Sequence, residues 1–400
     1  MNRTEDYSAD WALDPGVMFL NHGSFGARTK AVIARQRELR EEMDRQPMTF
    51  LARTYQDRLD ATRDVLARFV GAASRDLVFV RNATTAVNGV LRSLPFKPGD
   101  EVIITTHGYR ACNKAVEYAL DQAGGKVVTA DVPFPIDRPE QAVEAILARV
   151  TARTRLALVD HITSPTALIL PVERIVAELD ARGVDTLIDG AHAPGMVPLD
   201  IDRIGAAYYT GNLHKWPSLP VGAAFLWVRP DRQEWIHPAV VSHGYRNARA
   251  GRSALQEEFD WQGTDDPTSW LCLETSLAYF DDVIGGIDAA AKRNHELAVK
   301  ARLLVREVLE TAPPCPDEML GSMATVPLRG GRNWAAPEAV SSAVAVHPLQ
   351  RRLNDEFRIE IPVVPWPSPS SLNIRLSVHL YNAVEQYEIL ADALRQILLS

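Results

Sequence analysis

Short apolar runs alternate with longer amphipathic segments along most of the chain. The runs lie at 76–80, 101–105, 126–128, 156–159, 184–188, 206–209 and 222–228. Between several of them, apolar residues recur three or four positions apart, which is the spacing of a helix with one buried face. Strands that alternate with helices in this way predict an α/β fold with a mostly parallel sheet.

The same pattern divides the chain into three parts. Residues 1–20 are expected to form an N-terminal arm, 21–285 a large domain that contains the sheet, and 286–400 a smaller C-terminal α+β domain near which the arm packs. In the small domain the pattern predicts strands near 322–327, 343–347 and 371–376, and helices over 286–310, 348–357 and 383–398. Residues 30–70 are predicted to be helical, with a break at Pro47, which has no backbone N–H to donate.

The charge balance argues against nucleic acid and membrane partners. The chain has 400 residues, a net charge of −8 and no dense run of lysine and arginine. No apolar run approaches the roughly 20 residues that span a bilayer, and the N-terminus lacks an apolar signal region. The widely spaced Cys112, Cys272 and Cys315 fit reduced thiols, not a disulfide framework or a zinc site. We therefore expect a soluble, cytoplasmic protein.

An acid and an amine follow two successive apolar runs. Asp189 ends the run at 184–188, and Lys215 lies in the polar segment after the run at 206–209. In open α/β sheets, ligands bind at the carboxyl ends of the strands. A single lysine is most simply a solvated side chain, but Asp189 and His192 also stand where a strand has just ended. The acid and the amine are therefore predicted to face one crevice.

Pyridoxal phosphate chemistry needs such a pair. A lysine forms a Schiff base with the cofactor aldehyde, and a carboxylate keeps the pyridine nitrogen protonated so that the ring accepts electrons. The cofactor phosphate also needs an anion site, and the start of a helix offers one because its N–H groups lack partners. Thr84 and Thr85 follow the run at 76–80 and suit this role, although an ordinary helix N-cap would use the same residue types.

Five motifs carry a resemblance to a known family. They lie at 21–26, 82–86, 189–195, 211–216 and 263–264, and read NHGSFG, NATTA, DGAHAPG, GNLHKW and GT. With them the chain resembles the class V aminotransferase-like enzymes of fold type I, and within these the isopenicillin N epimerase-like branch. The resemblance implies pyridoxal 5′-phosphate as cofactor, a seven-stranded, mostly parallel sheet in the large domain, and a smaller C-terminal domain.

The resemblance also implies the contacts around the cofactor ring. Tyr109 is expected to stack on the pyridine, with His107 as the alternative and a purely structural tyrosine as the other possibility. Ser164, or Thr163 in its place, is expected to bond the phenolic oxygen. His192 is expected to orient the aspartate or to contact the same oxygen, unless it is a structural turn residue.

Three further residues are assigned to the phosphate by resemblance. His214 stands at the position of a phosphate-binding histidine, and Asn212 stands where relatives often have serine. Thr264 matches a residue that reaches the phosphate from the partner subunit. The active unit is therefore expected to be a homodimer with its active site at the subunit interface.

The substrate side is assigned to two separate segments. Asn21, His22 and Gly23 are expected to contact the substrate, as the corresponding segment does in the family. Arg375 stands in an apolar strand, where a buried arginine is costly without an anionic partner. A substrate α-carboxylate would bind it through two parallel hydrogen bonds, and an internal salt bridge is the alternative.

The catalytic residues expected from this assignment are Lys215, Asp189 and Tyr109. The resemblance implies an epimerase or racemase acting on an amino acid or a derivative, with Lys215 as the base and Tyr109 or His22 as an acid on the opposite face. A carbon–sulfur lyase of cysteine conjugates or sulfoxides is the alternative, and an aminotransferase a further one. A regulatory cofactor-binding module is disfavoured, because the first sheet motif begins near residue 17 and leaves no room for a DNA-binding segment.

Overall fold

The computed structural model describes residues 6–247, 249, 252–328 and 346–399. Its strands are β1 (Met18–Phe19), β2 (Leu77–Val80), β3 (Glu101–Thr105), β4 (Lys126–Ala130), β5 (Thr154–Asp160), β6 (Asp185–Asp189), β7 (Tyr208–Asn212), β8 (Ala224–Val228), β9 (Met323–Pro327), β10 (Ile359–Glu360), β11 (Val363–Pro365) and β12 (Leu372–Ser377).

The helices match the amphipathic segments. They are α1 (His22–Phe25), α2 (Lys30–Arg45), α3 (Tyr55–Val70), α4 (Ala83–Ser93), α5 (Arg110–Ala123), α6 (Glu140–Leu147), α7 (Val172–Asp180), α8 (Ile201–Ile204), α9 (Ala254–Asp260), α10 (Leu273–Ile284), α11 (Ile287–Leu309), α12 (Pro348–Phe357) and α13 (Val384–Leu399). The predicted break near Pro47 is present, because α2 ends at Arg45 and a π-helical segment, Thr49–Thr54, leads into α3.

Seven strands form the main sheet, in the order β2-β8-β7-β6-β5-β3-β4. The strands from β7 to β4 run parallel to their neighbours, whereas β8 is antiparallel to both β7 and β2. No helix separates β7 from β8, so the chain turns back directly and the two strands must be antiparallel. The predicted α/β fold with a seven-stranded, mostly parallel sheet is thus confirmed.

The sheet is buried on both of its faces. Leu77 and Phe79 of β2 belong to one hydrophobic cluster, and the alternate residues Val78 and Val80 belong to another. Successive side chains of a strand point to opposite faces, so each cluster covers one side of the sheet. This explains why the strands read as continuous apolar runs instead of alternating with polar residues.

The chain ends build two smaller sheets. Strands β11, β12 and β9 form an antiparallel sheet in that order, and β1 pairs with β10 in parallel. The division into an arm and two domains at residues 20 and 285 stays a prediction, and most of the strand expected at 343–347 lies outside the described residues. Within the described ranges, no helix combines the length and apolar character needed to cross a membrane.

A glycine closes the first polar motif against the turn that carries Lys215. Gly26 ends α1 with φ 74° and ψ 155°, a conformation that is nearly exclusive to glycine. A Cβ atom at this position would lie 2.0 Å from the carbonyl oxygen of His214 and 3.1 Å from the Cα atom of Lys215. The N-terminal motif therefore packs backbone to backbone on the lysine turn.

We expect Gly26→Ala to lower the free energy of unfolding by about 3 kcal/mol or more, because it adds a backbone clash to an unfavourable φ. Gly183→Ala is the matched control, since Gly183 has φ 71° but open space around its Cα. It should cost only about 1–2 kcal/mol. Urea unfolding of both variants measures the difference, and equal midpoints would contradict the close contact at Gly26.

Candidate active site

Lys215 lies in a tight turn directly after β7. The N–H of Ser218 donates to the carbonyl oxygen of Lys215 at 2.8 Å, and Ser218 itself has a left-handed φ of 60°. The Lys215 Nζ atom is 3.0 Å from Nε2 of His192, and its side chain is only partly buried. Burial and the positive charge of Arg375 lower the pKa of Lys215 to about 7, so a large share of the amine is uncharged at neutral pH.

Two neutral histidines hold the backbone of this turn. His22 Nε2 donates to the carbonyl oxygen of Lys215 at 3.0 Å, and His379 Nε2 donates to that of Trp216 at 3.2 Å. Each opposite Nδ1 atom accepts a hydrogen bond, from the Tyr381 hydroxyl at 3.0 Å and from the Leu380 N–H at 2.8 Å.

Each of these rings is therefore fixed in one neutral tautomer. Burial lowers the pKa of His22 far below its usual value and that of His379 to about 3. The predicted substrate contact and acid role of His22 has no support in this geometry, because both of its ring nitrogens are used within the protein. His22 instead positions the turn that carries Lys215.

The rest of the first motif ties the chain ends together. Asn21 Nδ2 donates to Glu360 at 3.3 Å, and the Gly23 N–H donates to the Ser377 hydroxyl at 3.2 Å. Both residues are buried. The member of this motif that meets the predicted substrate arginine is Ser24, which sequence reasoning did not single out.

Arg375 is buried on β12 without an acidic partner. Its Nη1 atom donates to the carbonyl and hydroxyl oxygens of Ser164 at 2.8 and 3.1 Å, and Nη2 donates to the Ser24 hydroxyl at 2.9 Å. Its Nε has no hydrogen-bond partner, and no carboxylate pairs with it in the described ranges. Burial lowers the pKa of Arg375 to about 10, which reflects the cost of this uncompensated charge. The arrangement favours an external anion over the internal salt bridge.

The two hydroxyl residues proposed for the phenolic oxygen have partners of their own. Ser164 accepts from Arg375, as described. Thr163 is fully buried; its hydroxyl lies 2.7 Å from that of Thr166 and accepts from the Leu168 N–H at 2.8 Å. Of the two, Ser164 is the more accessible to a ligand.

Asp189 ends β6 as a buried carboxylate. One oxygen accepts from the Cys112 thiol at 3.1 Å and the other from the Ala191 N–H at 3.0 Å. Burial raises the pKa of Asp189, and no arginine or lysine forms an ion pair with it among the residues described. A protonated pyridine nitrogen is a cation that would complete this site.

Tyr109 stands at the start of α5, and its side chain is 44% exposed. Burial of the remainder raises the pKa of its hydroxyl, so Tyr109 is neutral at physiological pH. The alternative, His107, is fully buried, with ring nitrogens bonded to the Thr166 hydroxyl at 2.6 Å and to the Val132 carbonyl at 3.0 Å. Tyr109 is thus the better placed of the two to stack on a ring in the cleft.

The start of α4 is the segment to which the cofactor phosphate was assigned. Asn82 caps the helix by accepting from the N–H and the hydroxyl of Thr85 at 2.8 and 3.0 Å. The Asn212 side chain accepts from the Ala83 N–H at 2.9 Å, so it joins the end of β7 to this helix. The Thr84 hydroxyl lies close to the Cys112 thiol. Asn82 is therefore the N-cap of α4. The assignment of Thr84 and Thr85 to the cofactor phosphate stays a prediction.

His214 and Thr264 are the other two residues assigned to the phosphate by resemblance. His214 Nδ1 lies 3.1 Å from the Ala223 carbonyl oxygen, so it donates there and presents Nε2 on its other side. Thr264 lies in an exposed loop, and the adjacent Gly263 lines a cavity of about 300 Å³ together with Thr85. The loop is therefore close to the phosphate side in its own chain, and its contact with a partner subunit stays a prediction.

These positions fit pyridoxal phosphate. Asp189 is a buried carboxylate without an ion-pair partner among the described residues, and Lys215 carries a partly uncharged amine. The buried Nδ1 atom of His192 has no hydrogen-bond partner. Buried polar atoms are normally satisfied, so an orphaned one marks a place for a ligand. No group of acidic, histidine or cysteine side chains in the described part of the chain is arranged to hold a metal ion.

Sequence reasoning missed three residues of this site. Ser24 contacts Arg375, Cys112 donates to Asp189, and Asp160 stands beside Asp189. Only the last had a signal in the sequence, because Asp160 ends an apolar strand as Asp189 does.

Comparison with known proteins gives a consistent picture. The family model Aminotransferase class-V matches residues 27–348. The chain is 33% identical to a probable chloroplastic L-cysteine desulfhydrase of Arabidopsis thaliana, covering 95% of this chain and 83% of that protein. It is 32% identical to isopenicillin N epimerase of Amycolatopsis lactamdurans, covering 96% of each. The cysteine desulfurase structure from Thermococcus onnurineus NA1 superposes with a TM-score of 0.79 at 18% identity, over 99% and 98% of the chains.

We expect the rate at which added pyridoxal phosphate attaches to the protein to rise with pH through about 7 and then level off. The reason is that only the uncharged Lys215 amine attacks an aldehyde. Arg375→Gln removes a positive charge that lowers the lysine pKa, so its profile should move to higher pH. The growth of visible absorbance after mixing measures the rate.

Arg155→Gln is the control for this experiment, because Arg155 is exposed on β5. Its profile should coincide with that of the unmodified chain. A midpoint near the pKa of a free lysine, about 10.4, would show that the site does not depress the Lys215 pKa.

Proposed function

The chain belongs to the aminotransferase class-V family, and from this premise we propose that it is a pyridoxal-phosphate lyase that cleaves the Cβ–S bond of a cysteine-type amino acid. The coarser part of this statement, an enzyme that uses pyridoxal phosphate, follows from the family and is confirmed. The reaction and its substrate are the proposal.

The observation that carries the proposal is that two basic side chains, Arg375 and Lys215, lie close to each other. Arg375 is a buried cation with an unpartnered Nε and no acidic partner among the described residues. Its charge is felt at the Lys215 amine, whose pKa it lowers. A substrate with a carboxylate for the arginine and an adjacent amine for the lysine side of the cleft is an α-amino acid.

When bound, pyridoxal phosphate supplies an electron sink for the bonds at the substrate α-carbon. Asp189 would hold the proton on the pyridine nitrogen, and the bonds from Cys112 and Ala191 keep this carboxylate in place. The Lys215 Nζ atom takes the α-proton, and His192 at 3.0 Å orients this amine. Arg375 holds the substrate carboxylate and so fixes which bond of the α-carbon faces the lysine.

A lyase needs only one acid–base group of this kind. After the α-proton leaves, the Cβ–S bond breaks, and the thiol departs with the electron pair and a proton. Water then converts the remaining fragment into pyruvate and ammonia, so that substrate and water balance thiol, pyruvate and ammonia. The engagement of both His22 nitrogens favours this one-base reaction, since it removes one of the two acids considered for the opposite face. The cysteine desulfhydrase relative supports the same choice.

Epimerisation is the second candidate. Sequence resemblance put it first, and the similarity to isopenicillin N epimerase keeps it in place. It requires a second acid, and Tyr109 is a neutral, half-exposed hydroxyl near Asp189 and Arg375. Transamination remains the third candidate reaction. Homodimer assembly with Thr264 at the interface and a cytoplasmic location also stay predictions.

Lys215→Ala should abolish both the visible absorption of the cofactor-loaded protein and its conversion of amino acids, since no other lysine faces Asp189 among the described residues. With S-substituted cysteines, the unmodified chain should release thiol, pyruvate and ammonia in equal amounts. A protein that takes up no pyridoxal phosphate would end the proposal.

The same reaction mixture in deuterium oxide separates the two candidates. Deuterium at the α-carbon of both stereoisomers, without release of pyruvate, would show that the protein is an epimerase and not a lyase. Conversion only in the presence of an added keto acid would show that it is an aminotransferase.

Arg375→Gln should raise KM for the amino acid by about 10- to 150-fold, because a charge-assisted, two-pronged bond of about 1.5–3 kcal/mol is lost. The amide of the same substrate, which has no carboxylate, should lose much less, since for it Arg375→Gln changes only the Lys215 pKa. Arg155→Gln again serves as the control arginine. An equal loss with the acid and the amide would show that Arg375 does not bind the carboxylate.

A further inference from the structure

A second carboxylate stands beside Asp189 at the edge of the sheet. Asp160 is the last residue of β5, and it pairs in register with Asp189, the last residue of the neighbouring β6. Paired residues on adjacent parallel strands project to the same face. Both side chains are nearly inaccessible, with 3% and 2% of their surfaces exposed.

Both carboxylates face the first turn of α5. Asp160 accepts from the Tyr109 N–H, with 3.2 and 3.4 Å to its two oxygens, and Asp189 accepts from the Cys112 thiol at 3.1 Å. The positive end of the helix dipole lies there and stabilises negative charge. Ser164, whose oxygens accept from Arg375, lies in the loop that directly follows Asp160. Asp160 thereby bonds the backbone of the residue expected to stack on the ring and stands beside the carboxylate of Asp189.

The pair has no cation of its own. No arginine or lysine lies within ion-pair distance of Asp160 or Asp189 in the ranges that the structure describes. Burial and the charge of Asp189 raise the pKa of Asp160, and burial raises that of Asp189. The charged or titratable groups that face the pair are Tyr109 and Cys112 on α5 and Lys215 after β7, with Arg375 and His192 beside the lysine.

We propose that Asp160 is a positioning residue of this site, which holds Tyr109 at the start of α5 and makes Asp189 a stronger acceptor for the proton of the pyridine nitrogen. Two neighbouring buried carboxylates repel each other, so each binds a proton or a cation more tightly than it would alone. A protonated pyridine nitrogen in front of Asp189 relieves this repulsion. The inference rests on the proposed cofactor, because it assigns Asp160 a role in holding it.

The test is Asp160→Asn, with Asp121→Asn on the exposed side of α5 as control. An asparagine oxygen still accepts from the Tyr109 N–H, so the variant removes charge and keeps the hydrogen bond. Full-length proteins are loaded with pyridoxal phosphate labelled at the ring nitrogen, and the proton on this nitrogen is followed by NMR as pH rises. We expect it to be lost about one pH unit lower in Asp160→Asn than in the other two proteins.

A purely structural role would not move this titration. Asp160→Ala separates the second part of the proposal, since it also removes the acceptor for Tyr109. It should weaken the circular dichroism that the bound cofactor shows in its visible band, whereas Asp160→Asn should keep it. Identical nitrogen titrations in all proteins would overturn the inference and leave the proposed function standing, whereas failure of the unmodified chain to load the cofactor would remove both.

Thermal unfolding of the cofactor-free full chain gives an independent readout. The raised pKa of the pair means that its contribution to stability is complete below about pH 4 and is lost as pH rises. Asp160→Asn removes one of the two carboxylates and with it this loss of stability at high pH. The Tm of the variant should therefore exceed that of the unmodified chain at pH 7, and the difference should shrink on acidification. A lower Tm at pH 7 with no pH dependence would show that Asp160 is only a structural acceptor.

Discussion

Two hydrogen bonds from neutral histidines to consecutive carbonyl groups fix the turn that carries Lys215. The donors are His22, near the N-terminus, and His379, near the C-terminus, and the turn itself follows a strand of the main sheet. Gly26 adds a backbone contact that no side chain would permit. Three distant parts of the chain must therefore fold together before the lysine has one position. An amine that must reach a single atom depends on such support, since small displacements of reacting groups cost much of their reactivity.

The electrostatics of the cleft are incomplete in the chain alone. Arg375 is a buried cation without an anion among the described residues, and Asp160 and Asp189 are buried anions without a cation. Each arrangement is costly, because the hydrogen bonds within the protein replace only part of the lost hydration and no opposite charge is paired with these groups. The charges are also sorted, with the carboxylates at the strand ends of the main sheet and the arginine on β12. This sorting suits a ligand that is cationic at one end and anionic at the other.

The features that sequence predicted were those with a local signal. Asp189 and Lys215 follow apolar runs, and a parallel sheet brings such strand ends together whatever the details of packing. The contacts of His22 have no local signal, because its partners, the Lys215 carbonyl and the Tyr381 hydroxyl, lie far along the chain and only tertiary structure brings them to its two nitrogens. Its role toward the substrate stays a prediction.

Cys112 and Ser24 were missed for a related reason. A thiol or hydroxyl in a helix is usually a packing or capping group, and its bond to Asp189 or Arg375 depends on how one element is rotated against another. Asp160 is different, since the strand-end rule that selected Asp189 applies to it equally. The sequence order does not show that β5, which ends at Asp160, lies directly beside β6, which ends at Asp189.

The sorted charges also set an order for the ligands. A ligand that binds only the folded protein stabilises it in proportion to its occupancy, so the cofactor offsets the cost of the carboxylate pair once its ring nitrogen faces Asp189. The charge of Arg375 then remains uncompensated next to Lys215, whose pKa it lowers. In the proposed reaction, a bound substrate carboxylate would neutralise that charge and so weaken its depression of the lysine pKa. Substrate binding would then make the Lys215 amine more basic at the step in which it must take a proton.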